Sequence, residues 1–499
     1  MRKKRILVAS LVIILSMLVA IPIMASALSS PANVQTVTDG MTVAGSTYGI
    51  CPEPYTNTFY ALDRHWLFFL DEDSDFVYAS SDVSGQPWTE HIIEAATGLY
   101  AVEFSIWYDA PRGVVHYARH DMNASPDEVV YRMGTPNADG TITWAAAEQT
   151  VSTTPADLIT WRTTIAVDED GYPWVVWIDT NDVDAYGIVY VEASSTRDGT
   201  WTQVVAVSDE IDVADFHAWF VQLCPIQATP GNLMEIIWSY EDQTGGPNDG
   251  EVALEARRYN TGTDWTITED VAALGDMAAV APHFFDSYDV GTTVWVAYTE
   301  AATGDLYVRA RTSAQTWTTA DAASLILDDA EIGYAPTLAG YRANGAGEDI
   351  ILIYGQDITA LGYCVHTYGD PVGTWGATQH IWTVSDAEAD YITRHNVAYQ
   401  YGSPVGFTWQ VTHLDVEEEP EYDTVYYWWI DGDNGGLGYY PTPTGSGNTI
   451  LQILMPIIVA LGIIMTGLGA WRGDMRVAFI GVAVGIVGFV LIQALLQLT

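Results

Sequence analysis

The chain has 499 residues, 49% of them hydrophobic and 12% aromatic, with 18 Lys and Arg against 64 Asp and Glu for a formal net charge of −46. That length and apolar content supply the core of one large domain with segments to spare. The charge argues against nucleic acid and anionic membrane surfaces as partners, since both are polyanions, and suits a salty exterior where screening makes self-repulsion tolerable.

In chain order, residues 1–27 read as a secretory signal. MRKKR precedes an apolar run from Ile6 to Met24, and Ala25-Ser26-Ala27 forms a small-residue cleavage site. The run is also long enough to remain as an uncleaved anchor, and on either reading the following domain leaves the cytoplasm. Four of the basic residues fall in the first five positions, so cleavage leaves 14 basic against 64 acidic residues and no lysine.

Residues 28–440 are one unit repeated. Its clearest copy runs from Thr163 to Trp201: a strand at Thr163 to Val167, a turn at Asp168-Glu169-Asp170-Gly171, an apolar strand from Trp174 to Ile178, a third strand from Gly187 to Val191, then a Ser/Asp/Gly turn into Trp201. The closing tryptophan recurs as Trp88, Trp144, Trp201, Trp265, Trp317 and Trp375, at intervals of 52 to 64 residues. A period that long marks a supersecondary unit whose copies must stack to bury their faces. The second strands, Trp66 to Leu70, Val114 to Ala118, Trp174 to Ile178, Met234 to Trp238, Val294 to Tyr298, Ile350 to Tyr354 and Val405 to Trp409, are apolar on both faces, so both faces are covered. Seven second strands against six tryptophans leave the last unit short of a strand, and Asn33 to Val37 can supply it from the other end. The expected fold is all-β, a seven-bladed β-propeller closed by an N-terminal strand.

Residues 441–449 form a Pro/Gly/Ser linker, and 450–470 and 477–498 are apolar spans separated by Trp471 to Arg476. Each span can cross about 30 Å of hydrocarbon, which predicts a two-helix transmembrane hairpin with Arg472 and Arg476 on the inner side. Cys51, Cys224 and Cys364 are expected as buried free thiols, not a disulfide framework or metal site.

The turns before the marked tryptophans, Ser80-Ser-Asp82-Val-Ser-Gly85-Gln-Pro-Trp88 and Ser195-Thr-Arg-Asp198-Gly199-Thr200-Trp201, with the shorter Asp139-Gly140-Thr141-Ile-Thr-Trp144 and Gly373-Thr374-Trp375, resemble the Asp-box of sialidase-like, or BNR-repeat, propellers. In that pattern an Asp or Ser side chain caps the turn amides, glycine takes the positive φ and tryptophan packs between blades. The resemblance implies a fold. Sialidases of the superfamily have six blades, an arginine triad, a Tyr/Glu pair and an Asp acid, whereas seven-bladed relatives include polysaccharide lyases that use His, Tyr and Arg in a central groove.

First strands line the channel of a propeller. Aligned on their turns, they place Asn57, Glu103, Arg162, His217, His283, Pro336 and Arg394 at one level, with His395 beside the last. Arg162 and Arg394 suit a bidentate grip on carboxylate or sulfate, His217 or His283 a general base, and Glu103 an orienting partner. The plainer alternative is a wet polar channel in which Glu103 simply pairs with arginine. His116, His120 and His366 read as ordinary strand residues. Asp71-Glu-Asp73-Ser-Asp75 and Asp431-Gly-Asp433-Asn434-Gly435 offer alternating oxygens for calcium but lack the EF-hand spacing, so solvated turns are expected and no cofactor is assigned. The functional expectation is a membrane-anchored extracellular module binding a glycan or protein. A carbohydrate-active lyase or glycosidase is the first alternative, and a structural cell-envelope protein the second.

Overall fold

The computed structural model describes 35–42, 56–71, 75–82, 87–94, 104–121, 127–145, 147–153, 159–181, 186–201, 204–206, 216–226, 233–242, 250–260, 264–265, 268–277, 285–300, 305–312, 317–318, 325–327, 336–344, 347–357, 360–383, 390–397, 405–413 and 422–430. The predicted signal, linker and hairpin segments lie outside these residues. Among the described residues no helix is long and apolar enough to cross a membrane.

Every described element is a strand. After β1 (Gln35–Thr42), sheet 1 is β2 (Thr58–Ala61), β3 (Arg64–Leu70), β4 (Phe76–Asp82) and β5 (Thr89–Glu94). Sheet 2 is β6 (Phe104–Asp109), β7 (Val114–Asp121), β8 (Glu128–Pro136), β9 (Ile142–Trp144) and β10 (Gln149–Thr153). Sheet 3 is β11 (Ile159–Val167), β12 (Pro173–Asn181), β13 (Tyr186–Ala193) and β14 (Val204–Ala206). Sheet 4 is β15 (Phe216–Pro225), β16 (Met234–Asp242), β17 (Val252–Asn260), β18 (Asp264–Trp265) and β19 (Glu269–Met277). Sheet 5 is β20 (Phe285–Val290), β21 (Thr293–Thr299), β22 (Leu306–Thr312) and β23 (Leu325–Leu327). Sheet 6 is β24 (Thr337–Asn344), β25 (Gly347–Asp357), β26 (Ala360–His366) and β27 (Gln379–Thr383). Sheet 7 is β28 (Asp390–Val397), β29 (Val405–His413) and β30 (Tyr422–Ile430), completed by β1.

Each sheet is an antiparallel meander, and the first strands pack side by side in a closed cycle. β2 meets β6, β6 meets β11, and the series runs through β15, β20 and β24 to β28, while β2 returns to sheet 7 through β29. This is a β-propeller, and the two ends of the cycle are stitched by β1, whose Gln35 and Thr36 face Tyr427 and Tyr426 of β30. The closing strand runs a few residues later than the sequence suggested, because β1 extends to Thr42 across two register shifts.

The second strands are buried throughout: Trp66, Trp177, Trp238 and Trp409 have no exposed surface. Covering on both faces explains why their sequences do not alternate. The marked tryptophans fill the seams between sheets, five of the six with the ring edge-on to an aromatic residue of the preceding sheet, while Trp317 has the Arg311 guanidinium over its ring, 5.3 Å from the centroid. Trp88 meets Tyr427, Trp144 meets Phe68 and Tyr78, Trp201 meets Tyr131, Trp265 meets Trp174, and Trp375 meets Trp295. The turns that deliver them are tied by side chains. Asp139 Oδ1 accepts from the Thr141 amide at 3.0 Å while Gly140 holds φ +92°. Ser194, one residue before the serine the motif suggested, accepts from the Thr200 amide at 2.7 Å.

Charges also cross the seams. Glu235 of β16 is fully buried, accepts from Arg258 Nε at 2.6 Å and pairs with Arg311 of β22 at 2.9 Å, and Arg311 reaches Glu269 at 2.5 Å. Arg119 of β7 is held by Glu94 of sheet 1 and by Glu148 at 2.8 Å. Cys224 and Cys364 are buried free thiols, as expected, and burial pushes Cys364 up to about 12; Cys51 lies outside the described residues.

Removing one member of a buried ion network strands the others without water. Glu235→Ala is expected to cost about 3–5 kcal/mol of unfolding free energy in a denaturant titration, and the triple change Glu235→Met with Arg258→Met and Arg311→Met much less.

Candidate functional site

The residues expected at the channel entry fall into three groups. Glu103 and His283 lie outside the described residues. Arg394 and His395 are placed on β28, opposite Gln410 and Trp409 of β29, with side chains outside the described set. Asn57, Arg162, His217 and Pro336 are described in full.

Asn57 does not line an open channel. It is completely buried, its carbonyl accepts from the Phe68 amide at 2.8 Å, and its Oδ1 accepts from Thr408 Oγ1 of β29 at 3.2 Å. It joins sheet 1 to sheet 7 and thus belongs to ring closure. Pro336 is buried just ahead of β24.

Arg162 and His217 are partly exposed and sit on neighbouring first strands that pack together. Arg162 has φ +58°, a left-handed conformation that costs a non-glycine residue about 1–3 kcal/mol. It lies in a β-bulge: pairing passes from Trp161 opposite Ile178 to Thr164 opposite Val176, so two residues of β11 face Trp177 alone. A bulge re-aims the side chain it carries. Here the guanidinium stacks over the Phe220 ring of β15, 4.1 Å from its centroid. His217 packs on Trp219 with ring centroids 4.5 Å apart, and Trp219 Nε1 donates to Glu241 Oε2 at 2.8 Å. The result is a half-open surface of arginine, imidazole, indole and carboxylate, built by β11, β15 and β16.

The expected single level does not hold. β15, β24 and β28 also carry one-residue bulges, at Trp219, Tyr341 and Thr393, whereas β2, β6 and β20 have none. Asn57 therefore faces Phe68, Arg162 faces Trp177, Arg394 faces Gln410 and His217 faces Glu241. With the second strands aligned, these are different steps along the strand, each worth about 3.3 Å. The residues spread from the rim, at His217, to mid-strand, at Arg162. No sequence signal marks the bulges. Trp219 and Phe220 were missed because two adjacent aromatics in a strand ordinarily point to opposite faces, and only the bulge brings both to this patch.

Three histidines on other strands, His65, His116 and His366, are structural. His65 shares a 2.8 Å hydrogen bond with Tyr427 and His116 a 2.7 Å one with Tyr131, and burial pushes both imidazoles down to about 3. Burial also lowers His366, whose Nδ1 lies 2.9 Å from the Thr374 carbonyl oxygen. A Tyr/Glu pair of the kind the sialidase resemblance implies does exist, Tyr288 of β20 hydrogen-bonded to Glu348 of β25. Both are buried, and desolvation raises Glu348 to about 8, so the pair is a protonated join between sheets 5 and 6 with no access for a sugar. Of the two loops considered for calcium, Asp71 Oδ1 caps the Asp75 amide at 2.8 Å, and 431–435 lies outside the described residues. Among the described residues Glu94, Asp121 and Glu148 converge, but the Arg119 guanidinium already lies among them.

No family model matches the chain, and no curated protein matches it. Solved structures do match in fold. An ulvan lyase of a new polysaccharide lyase family aligns with TM-score 0.50 and 12% identity, covering 78% of this chain and 94% of its own. The same lyase bound to -[GlcA(1-4)Rha3S]- aligns with TM-score 0.50 and 11% identity over the same shares of both chains. The NanB sialidase of Streptococcus pneumoniae aligns with TM-score 0.42 and 11% identity, covering 81% of this chain and 71% of its own. At such identities the likeness to the lyase is one of fold alone, a β-propeller.

Glu348 supplies a pH test. A carboxyl whose folded pKa is raised from 4.5 to about 8 binds its proton more tightly in the folded state. Its contribution to stability is complete below pH 4.5 and is lost as pH rises through about 8. Denaturant midpoints measured from pH 5 to 9 are expected to fall less steeply for Glu348→Gln than for the parent chain.

Proposed function

We propose that the chain is an exported, membrane-held seven-bladed propeller, each of the seven sheets being one blade, that binds a glycan at the end where its first strands begin. The observation that carries this reading is the half-open Trp219–His217–Glu241 surface, flanked by Arg162 stacked on the buried Phe220. Aromatic rings offer flat platforms to the C–H faces of a pyranose, while a guanidinium and a carboxylate donate to and accept from its hydroxyls. Strain held at Arg162 for the sake of its orientation supports a binding role. The fold it shares with an ulvan lyase points the same way, and the apolar spans at 450–470 and 477–498 supply the anchor.

The second reading is a polysaccharide lyase or glycosidase at the same place. It is favoured by the half-open His217, imidazole being the commonest general base, with Arg162 and Arg394 as partners for a substrate anion. One experiment separates the two: incubate the purified chain with neutral and uronic-acid polysaccharides, and measure both retention on the polymer and new reducing ends. Binding without cleavage is expected for the parent, with at least a tenfold loss for Trp219→Ala. Cleavage that disappears in His217→Ala and in the double change Arg162→Ala with His283→Ala would replace the binding reading with the enzymatic one.

A further inference from the structure

The seams of the ring are not alike. One apolar cluster runs from Phe59 and Trp66 of sheet 1 through to Leu352 and Cys364 of sheet 6. A second joins sheet 6 to sheet 7, where Ile351, Ile353 and Tyr363 share a core with Phe407, Trp409 and Trp428. Between sheets 7 and 1 the described residues form no such join. The cluster of Leu67, Phe69, Val77 and Ala79, with Trp88 against it, is drawn from sheet 1 alone. The sequence of β29 shows why. Val405, Phe407, Trp409 and Val411 take one face of the strand and belong to the core shared with sheet 6, which leaves Gly406 and Thr408 on the face toward sheet 1.

What holds this seam is polar. Thr408 Oγ1 donates to Asn57 Oδ1 at 3.2 Å, and Asn57 Nδ2 is buried with no hydrogen-bond partner among the described residues. Tyr427 of β30 fills the space left by Gly406, where a Cβ would collide with its hydroxyl, and that hydroxyl shares a 2.8 Å hydrogen bond with Nδ1 of His65 on β3. Trp88 closes edge-on against the same tyrosine. His65, Tyr427 and Thr408 have no exposed surface. Regions held by few apolar contacts open at a lower free energy than the rest of a fold.

We infer that the ring has a built-in opening at the seam between sheets 7 and 1, and that protonation of His65 releases it. β1 stays paired with β30, and the chain from Thr42 to Thr58 keeps the two sheets joined, so the opening is local. The groups facing His65 are Tyr60 of β2, with ring centroids 5.0 Å apart, Tyr427 of β30, and Asp82 of β4, whose negative charge favours the protonated ring. Burial outweighs that charge and lowers the imidazole from 6.5 to about 3. Because the folded value lies below the unfolded one, closure is at full strength above pH 6.5 and weakens as pH falls toward 3, by up to about tenfold for each pH unit. His116 is lowered to the same value, but its hydrogen bond to Tyr131 joins two strands of sheet 2 and no two sheets.

The test is the reactivity of a thiol placed in the seam, Ala79→Cys, in the full-length protein. The buried Cys224 and Cys364 lie in the cluster that joins the other sheets and serve as internal references. Labelling by dithiodipyridine, which reacts with thiols in acid, is followed residue by residue by mass spectrometry and scaled to a free thiol at the same pH. From pH 7.5 to pH 5.0 the rate at Ala79→Cys is expected to rise at least about tenfold, and the rates at Cys224 and Cys364 less than about twofold. Adding His65→Gln is expected to abolish the rise, and adding His116→Gln to leave it. Tyr427→Phe, which removes the bond to His65 and keeps the ring, is expected to speed labelling of Ala79→Cys severalfold at pH 7.5 without changing the two references. A parallel rise at all three thiols would mean general acid unfolding and would overturn the inference. So would a rise that survives His65→Gln, or constant reactivity down to pH 5.0.

Discussion

The structure depends on the burial of both faces of every sheet. A lone meander of this sequence would expose Trp177, Trp238 or Trp409, none of which has any exposed surface in the ring. Burying one such side chain is worth about 1.5–3 kcal/mol, but only when a neighbouring sheet covers it. Each sheet is thus stable only through the next one. That mutual dependence is satisfied without remainder only if the series closes on itself, which is why so much chemistry is spent at the seams: edge-on tryptophans, the Glu235–Arg311 network, Arg119 with its three carboxylates, and the Asn57–Thr408 bond.

The same requirement decides where sequence could be read. Trp174 to Ile178 and its six counterparts announce themselves because two-sided burial abolishes alternation, and the tryptophans because a bulky seam filler recurs once per unit. The closing strand was legible because a missing partner at one end had an unpaired strand at the other. The depth at which a side chain reaches the channel was not. It depends on the bulges at Arg162, Trp219, Tyr341 and Thr393, and a bulge is one residue more than the partner strand has, a relation between two segments that neither segment carries alone. Counting back from a turn across such a point moves every residue by one step and to the other face. Arg162 shows the result: it aligns in sequence with Asn57, yet it faces Trp177 from within a bulge while Asn57, on a strand with none, faces Phe68.

Polar residues divide by the same logic. His65, His116 and Glu348 are held neutral between sheets, where a charge would have no solvent, and they act as hydrogen-bonding mortar. Arg162 and His217 lie where the covering is incomplete, on strands whose bulges open the wall. The separation of structural from available groups is therefore a matter of position in the ring, and residue type alone does not predict it.

The strand that completes sheet 7 has a kinetic meaning. Gln35 and Tyr427 are paired across about 390 residues of chain, close to the largest sequence separation the fold allows. Joining such distant segments carries a loop-closure cost that nearer contacts do not. The meanders, each built from neighbours in sequence, can form as the chain appears, while the ring stays an open arc whose last sheet has a bare edge at β30. The fold has a defined final step, and the time before that step is when a second chain's β1 can take the vacant place, so domain exchange between copies is the characteristic error of this architecture.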